Sequence, residues 1–120
     1  MDILLVTGVS ANDIFIYNMA KWLQTRLNAN IDIFAIDNHK TQTYDSTIFR
    51  EVKYVENDTN NLTRKILGWT QAYRYSRQLK QFLRDKKYNV IHCHWLVPSI
   101  ALSCFLRGYC DKLFLTFWGG

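Results

Sequence analysis

Runs of large apolar residues alternate with helix-forming segments along this chain, and this alternation limits the folds that the chain can adopt. Asp2–Gly8 reads DILLVTG, which is typical of a parallel strand buried on both faces. Asn12 and Asp13 follow as candidate helix caps, and apolar residues then recur at helical spacing up to Leu27. A second apolar run covers 31–36. Strand, helix and strand in this order predict a βαβ unit with a right-handed crossover.

The rest of the chain continues this alternation. Three more strands and two helices are predicted, in the order strand, helix, strand, helix, strand, at 52–55, 62–87, 90–95, 100–106 and 112–117. The pattern predicts an α/β fold, a three-layer Rossmann-like doubly wound parallel sheet with the strand order 3-2-1-4-5. Because the chain stops at Gly120, directly after the fifth strand, we expect residues 1–120 to be one amino-terminal domain, truncated before a carboxy-terminal domain.

Composition narrows the class of protein. Hydrophobic residues make up 48% of the 120 residues, which is enough for one core. The net charge of +5 fits a polyanion, an anionic membrane or a phosphorylated ligand. Three cysteines without a CxxC pair indicate a reducing compartment, and no signal-peptide pattern or long apolar span occurs. We therefore expect a cytoplasmic protein, either soluble or peripheral on the inner face of the cytoplasmic membrane.

Candidate ligand-binding stretches follow three of the predicted strands. Ligands of open parallel sheets bind beyond the carboxyl ends of the strands, where the winding direction changes. The stretches 8–12, 92–98 and 116–120 should meet there. The first reads GVSAN and has one glycine rather than GxGxxG, so a dehydrogenase-type dinucleotide site is not expected. Its backbone N–H groups could still hold a phosphate, or the loop could be an ordinary turn.

Two histidines stand near the end of the fourth strand. His92 and His94 are two residues apart and should share one face of the sheet. We expect His92 to be hydrogen-bonded in the core and His94 to lie nearer the crevice, where it could accept a proton from an attacking hydroxyl or bind a sugar hydroxyl. Burial of both in the core is the alternative. Trp95 could stack on a sugar or simply pack. No metal is expected, because the pair lacks further ligands.

The long predicted helix carries a basic side. Its members are Arg74, Arg77, Lys80 and Arg84, with aromatic residues close by. Such a side can rest on an anionic membrane surface, although an ordinary solvated helix face would look the same. A nucleic-acid partner is not expected, because no nucleic-acid-binding module fits the strand pattern.

Two motifs carry a family resemblance. They are YNVIHCHWLVP at 88–98 and KLFLTFWGG at 112–120. Together they resemble the amino-terminal domain of glycosyltransferases with the GT-B fold. The likeness is greatest to the retaining, family 4-like group 1 enzymes, which include bacterial capsule, lipopolysaccharide and glycolipid glycosyltransferases. The first strand, MDILLV, is also similar to that of the group, and the element order matches over the whole chain.

The resemblance implies a function and a set of site residues. Such enzymes bind the acceptor mostly in the first domain and the nucleotide-sugar donor mostly in the second, without an obligatory metal or other cofactor. It implies hexosyl transfer to a glycan or lipid-linked acceptor in surface polysaccharide or lipopolysaccharide synthesis. His94 would be catalytic. The residues that would bind substrate are Gly8, Ser10, Asn12, Trp95, Trp118, Gly119 and Gly120. Without a donor domain, residues 1–120 alone would be inactive.

The chain departs from this group at two places. The first loop has Gly8 alone where paired glycines are frequent, so one of the two glycines that would approach the donor is missing. Trp118 stands where many members have histidine, so an imidazole is missing there. A stand-alone Rossmann-like module that binds a nucleotide, a phosphate or an anionic membrane surface without catalysis is the alternative function.

Overall fold

Five parallel strands form a single sheet. The computed structural model describes residues 1–7, 14–37, 47–56, 76–94 and 105–116. The strands are β1 (Asp2–Thr7), β2 (Asn30–Asp37), β3 (Phe49–Glu56), β4 (Tyr88–His94) and β5 (Cys110–Thr116). Their order across the sheet is β3-β2-β1-β4-β5, and each neighbouring pair is parallel. The predicted Rossmann-like α/β fold and its strand order are confirmed.

Helices lie on both faces of this sheet. α1 (Ile14–Leu27) connects β1 to β2, and Asn28 follows it with a positive φ of 50°, a conformation that asparagine tolerates better than most residues. A second helix, α2, is described at 76–83, and a 3-10 turn at Arg107–Tyr109 leads into β5. No helix within the described ranges has the length and apolarity that crossing a membrane requires.

Each face of the sheet has its own apolar cluster. On the α1 face, Ile16 and Leu5 belong to one buried cluster. On the opposite face, Leu83 of α2 and Leu4 of β1 belong to the other. Neighbouring β1 residues alternate between the two clusters because successive side chains of a strand point to opposite faces. β1 is therefore buried on both sides, as its continuous apolar run predicts.

Several element boundaries differ from the sequence prediction. β2, β4 and β5 begin one or two residues before the predicted starts at 31, 90 and 112. The larger differences are in β3 and in the second helix. β3 begins at Phe49 rather than at residue 52, because Phe49 is a buried part of the cluster on the α1 face. The second helix ends at residue 83 rather than 87. Asp85 has a φ of 63°, which is incompatible with continuing a right-handed helix, and Lys86 leaves the helix to pair with Glu51 at 3.0 Å.

An ionic network ties four strands together near their amino-terminal ends. This amino-edge network consists of Asp2, Asp32, Arg50 and Tyr88. The Nε and Nη2 of Arg50 each donate to one oxygen of the buried Asp32 carboxylate at 2.9 Å, and the Tyr88 hydroxyl donates to it at 2.7 Å. Arg50 Nη1 also donates to Asp2 at 3.1 Å. Bidentate, charge-assisted bonds of this kind are among the strongest in proteins.

The amino-edge network also fixes the protonation of its donors. Hydrogen bonding to Asp32 raises the pKa of Arg50, so the guanidinium stays charged. Burial, followed by the bond to Asp32, raises the pKa of Tyr88, so its hydroxyl keeps the proton that it donates. The network therefore has a structural role at the amino-terminal ends of the strands, whereas ligands are expected at their carboxyl ends.

Candidate functional site

The carboxyl ends of three neighbouring strands lie side by side. Thr7, the last residue of β1, is in register with His94, the last of β4, and His94 is in register with Thr116, the last of β5. We call these three residues the rim row. The winding direction of the chain reverses between β1 and β4, which is where open α/β sheets bind their ligands. The rim row is therefore the candidate site.

His94 is the central residue of the rim row and has unusual surroundings. It is only 4% exposed, and within the described ranges neither ring nitrogen has a hydrogen-bond partner. Burial, followed by the proximity of His92, lowers the pKa of His94 from 6.5 to about 4. The imidazole is therefore neutral at pH 7, and its two nitrogens can donate one hydrogen bond and accept another. A buried polar group without a partner costs about 1–3 kcal/mol, which a bonded ligand would recover.

His92 lies against His94 on the same face of β4. The two ring centroids are 3.8 Å apart and the ring planes are inclined by 44°. His92 Nε2 lies 2.6 Å from the Thr116 hydroxyl oxygen, and burial lowers the pKa of His92. Since a second positive charge so close would be strongly disfavoured, the pair is built to be neutral. Thr116 anchors the outer ring of the pair.

The environments of the two histidines differ from the sequence prediction. His94 lies at the carboxyl end of β4, as expected, but it is the more buried of the two, and His92, which we expected in the core, is half-buried. The reason is the surface beside β4. Next to His92 stands Phe114 of β5, with ring centroids 6.0 Å apart, and Phe114 is itself 51% exposed. The shared face of His92 and His94 was predicted correctly.

The other predicted substrate-binding residues fall outside the described ranges. They are Gly8, Ser10, Asn12, Trp95, Trp118, Gly119 and Gly120. Gly8 follows Thr7 directly, Trp95 follows His94, and Trp118 comes two residues after Thr116. Each predicted stretch thus continues from one member of the rim row, and their roles stay predictions.

One residue of the rim row, Thr7, was not identified from the sequence, whereas Thr116 is the first residue of the predicted stretch 116–120. Thr7 and Thr116 each end an apolar strand run, and a hydroxyl at that position was the available signal. Thr116 matters most because its hydroxyl is bonded to His92. No group of three metal-ligating side chains occurs in the part of the chain that the structure describes.

Three of the four residues of the predicted basic side lie within the described ranges. Arg77 and Lys80 of α2 and Arg84 after it are exposed, whereas Arg74 falls outside the described ranges. Lys80 Nζ lies 5.2 Å from the centre of the Phe105 ring, an aromatic neighbour that the sequence did not indicate. The three exposed cations lie on the side of the sheet opposite α1, because Leu79 and Leu83 of α2 pack into the cluster there.

Comparison with known proteins adds information on the fold. No protein-family model and no curated protein matches this sequence. A similar solved structure is the crystal structure of the C-terminal domain of a hydrogenase from Pyrococcus furiosus, with a TM-score of 0.65 and 10% sequence identity. The match covers 96% of this chain and 90% of that chain. At this identity the likeness concerns the fold alone, which many unrelated functions share.

Proposed function

We propose that this chain is the amino-terminal, acceptor-side domain of a GT-B glycosyltransferase. The enzyme would transfer a hexose from a nucleotide-sugar to a glycan or lipid-linked acceptor in surface polysaccharide or lipopolysaccharide synthesis. The observation that carries the proposal is His94, a buried neutral imidazole at the carboxyl end of β4 whose ring nitrogens have no partner within the described ranges. The motif resemblance at 88–98 and 112–120 supports it.

The proposed role of His94 follows from its chemistry. One ring nitrogen accepts a hydrogen bond from an acceptor hydroxyl and takes up its proton as the oxygen bonds to the anomeric carbon of the donor sugar. The bond from that carbon to the nucleotide diphosphate breaks, and the diphosphate leaves with the electron pair. A pKa of about 4 makes His94 a weak base in the free protein. The negative diphosphate nearby would raise that pKa in the complex and favour the imidazolium.

The donor would be held mainly by a second domain. Residues 8–12 would approach its diphosphate through backbone N–H groups, and Trp95 and residues 118–120 would border the sugars. We therefore expect residues 1–120 alone to show no transfer.

Replacement of His94 by glutamine in the complete protein is expected to lower sugar transfer by at least about 10²-fold, because general base catalysis contributes about 10²–10⁴-fold. Glutamine keeps a polar side chain of similar size. Transfer is measured as nucleotide released from a panel of nucleotide-sugars. Lys21→Gln, on the exposed side of α1, is the control and should retain wild-type turnover. Wild-type turnover by the His94 variant, or no consumption of any nucleotide-sugar by the wild type, would refute the proposal.

The basic side of α2 is proposed to rest on the anionic inner face of the cytoplasmic membrane. The double variant Arg77→Glu, Lys80→Glu is expected to bind vesicles containing anionic lipid at least tenfold more weakly, since each basic residue near such a surface contributes about 1 kcal/mol. Co-sedimentation measures the bound fraction. The control is Lys21→Glu, Arg26→Glu, an identical change of charge on exposed positions of α1. Equal binding by the two double variants would exclude a role for this side.

A further inference from the structure

A groove of about 540 Å³ runs along the α1 face of the sheet above β4 and β5. Val90 and Phe114 form its floor, and Leu23 and Leu27 of α1 form its wall. Phe114 is 51% exposed and Leu27 is 45% exposed. Apolar surface therefore lines a concave site that the cluster on this face does not fill.

The path of the chain explains why this part of the sheet is open. Right-handed crossovers toward β4 and toward β5 pass over the face opposite α1. The described parts of both connections do pack there, since Leu79 and Leu106 belong to the cluster on that face. Within the described ranges, α1 is the one helix on the groove side. Parallel sheets are normally covered on both faces, so the exposed floor favours an apolar occupant.

The ends of the groove differ in character from its middle. At the inner end stands His92, whose ring lies 3.8 Å from that of His94. At the amino-terminal edge stand the polar residues Asn89, Asp111 and Lys112. Sites for small ligands commonly measure about 300–1,000 Å³, with a mostly apolar lining and a few polar groups that fix orientation. This groove has that size and that lining, and its inner end meets the candidate site through His92, whose ring lies against that of His94.

We propose that the groove binds the apolar chain of a lipid-linked acceptor, with the sugar end at His94 and the chain leaving past Leu27. The placement of the sugar end depends on the function proposed above, whereas the binding of the apolar chain is inferred from the groove alone. His94 is the fifth residue after Asn89 along β4, which corresponds to roughly 16 Å of extended strand. A single alkyl or prenyl chain can span this path, and a sugar without such a chain would leave the groove empty.

The groove and the basic side of α2 flank the same edge of the sheet. Lys80 lies over Phe105, whose ring centroid is 5.0 Å from that of Tyr109, the residue directly before β5. β5 is an edge strand of the sheet, and its Phe114 lies on the groove side, opposite to the side on which α2 packs. The basic side therefore lies close to the strand that forms the outer floor of the groove.

The test measures binding of alkyl glycosides to the 120-residue chain. Calorimetric titration with dodecyl maltoside below its micelle concentration is expected to give a Kd at least tenfold lower than titration with hexyl maltoside, because the added methylenes become buried. Phe114→Asp should raise the Kd for dodecyl maltoside at least tenfold. Leu115→Asp is the matched control: Leu115 is 38% exposed on the same strand, and its side chain points to the opposite face. It should change the Kd less than twofold.

Three results of the binding and light-scattering measurements would each overturn this inference. They are equal Kd values for the two chain lengths, equal effects of the Phe114 and Leu115 variants, and a dimer in light scattering that Phe114→Asp converts to monomer while no alkyl glycoside binds. The last result would assign the groove to a second copy of the chain. Chain-length-dependent binding without any sugar transfer by the complete protein would retain the groove and refute the glycosyltransferase. Sugar transfer to short and long acceptors with equal KM would refute the groove and support the proposed glycosyltransferase.

Discussion

Replacement of Arg50 by methionine is expected to lower the free energy of unfolding by about 3 kcal/mol, because it leaves the buried Asp32 carboxylate with Tyr88 as its remaining partner in the amino-edge network. Removal of one partner from a buried ion pair costs about 3–5 kcal/mol, and the lower end applies because the Arg50 side chain is 46% exposed. Denaturation by urea at pH 7, followed by fluorescence, measures the change.

Two further variants isolate the cause of this loss. Arg26→Met, at an exposed position of α1, removes the same side chain elsewhere and should change stability by less than about 0.5 kcal/mol. The double variant Asp32→Asn, Arg50→Met should be more stable than Arg50→Met alone, since it no longer buries an uncompensated charge. A loss below about 1 kcal/mol for Arg50→Met would mean that solvent already compensates Asp32.

Acidification from pH 6.5 to pH 4 is expected to remove about 3 kcal/mol of stability through His94 alone. Burial and His92 hold the pKa of His94 at about 4 in the folded protein, against 6.5 when the ring is free. The unfolded chain therefore binds the proton first as the pH falls. The contribution of His94 is complete only well above pH 6.5, is lost progressively as the pH falls from 6.5 toward 4, and is fully lost below pH 4.

His94→Phe separates this effect from other titrations. Phenylalanine fills the space of the ring and cannot be protonated, so the stability of the variant should fall less steeply between pH 6.5 and pH 4. All other groups titrate in both proteins, and the difference between the two curves of unfolding free energy against pH reports His94. Parallel curves would show that the pKa of His94 is the same in the folded and the unfolded protein.

The fold could be predicted from the sequence because its signals are local and repeated. The apolar run of β1 and the helical spacing in α1 identify their elements without tertiary information, and handedness then restricts the strand order. Boundaries were harder to predict. Phe49 joins β3 because of its burial, and α2 ends before Asp85 because that residue takes a positive φ. Neither choice leaves a periodic pattern in the sequence.

The site could be predicted only in part. Spacing alone placed His92 and His94 on one face at the end of a strand. It could not show which ring would be buried, because burial depends on the exposure of neighbouring side chains such as Phe114 of β5. The Asp32 network was also missed, although a carboxylate within the apolar run 31–36 is a signal that a buried partner must exist.

The amino-edge network and the rim row stand at opposite ends of the same strands. Interactions that hold the strands in register are thus kept apart from the surface that would meet a ligand. Because of this separation, residues that follow Thr7, His94 and Thr116 in the sequence can accept substitutions that alter ligand preference while the anchoring contacts of the scaffold persist. Related domains should accordingly diversify at the rim and retain an acid–base pair at the other end.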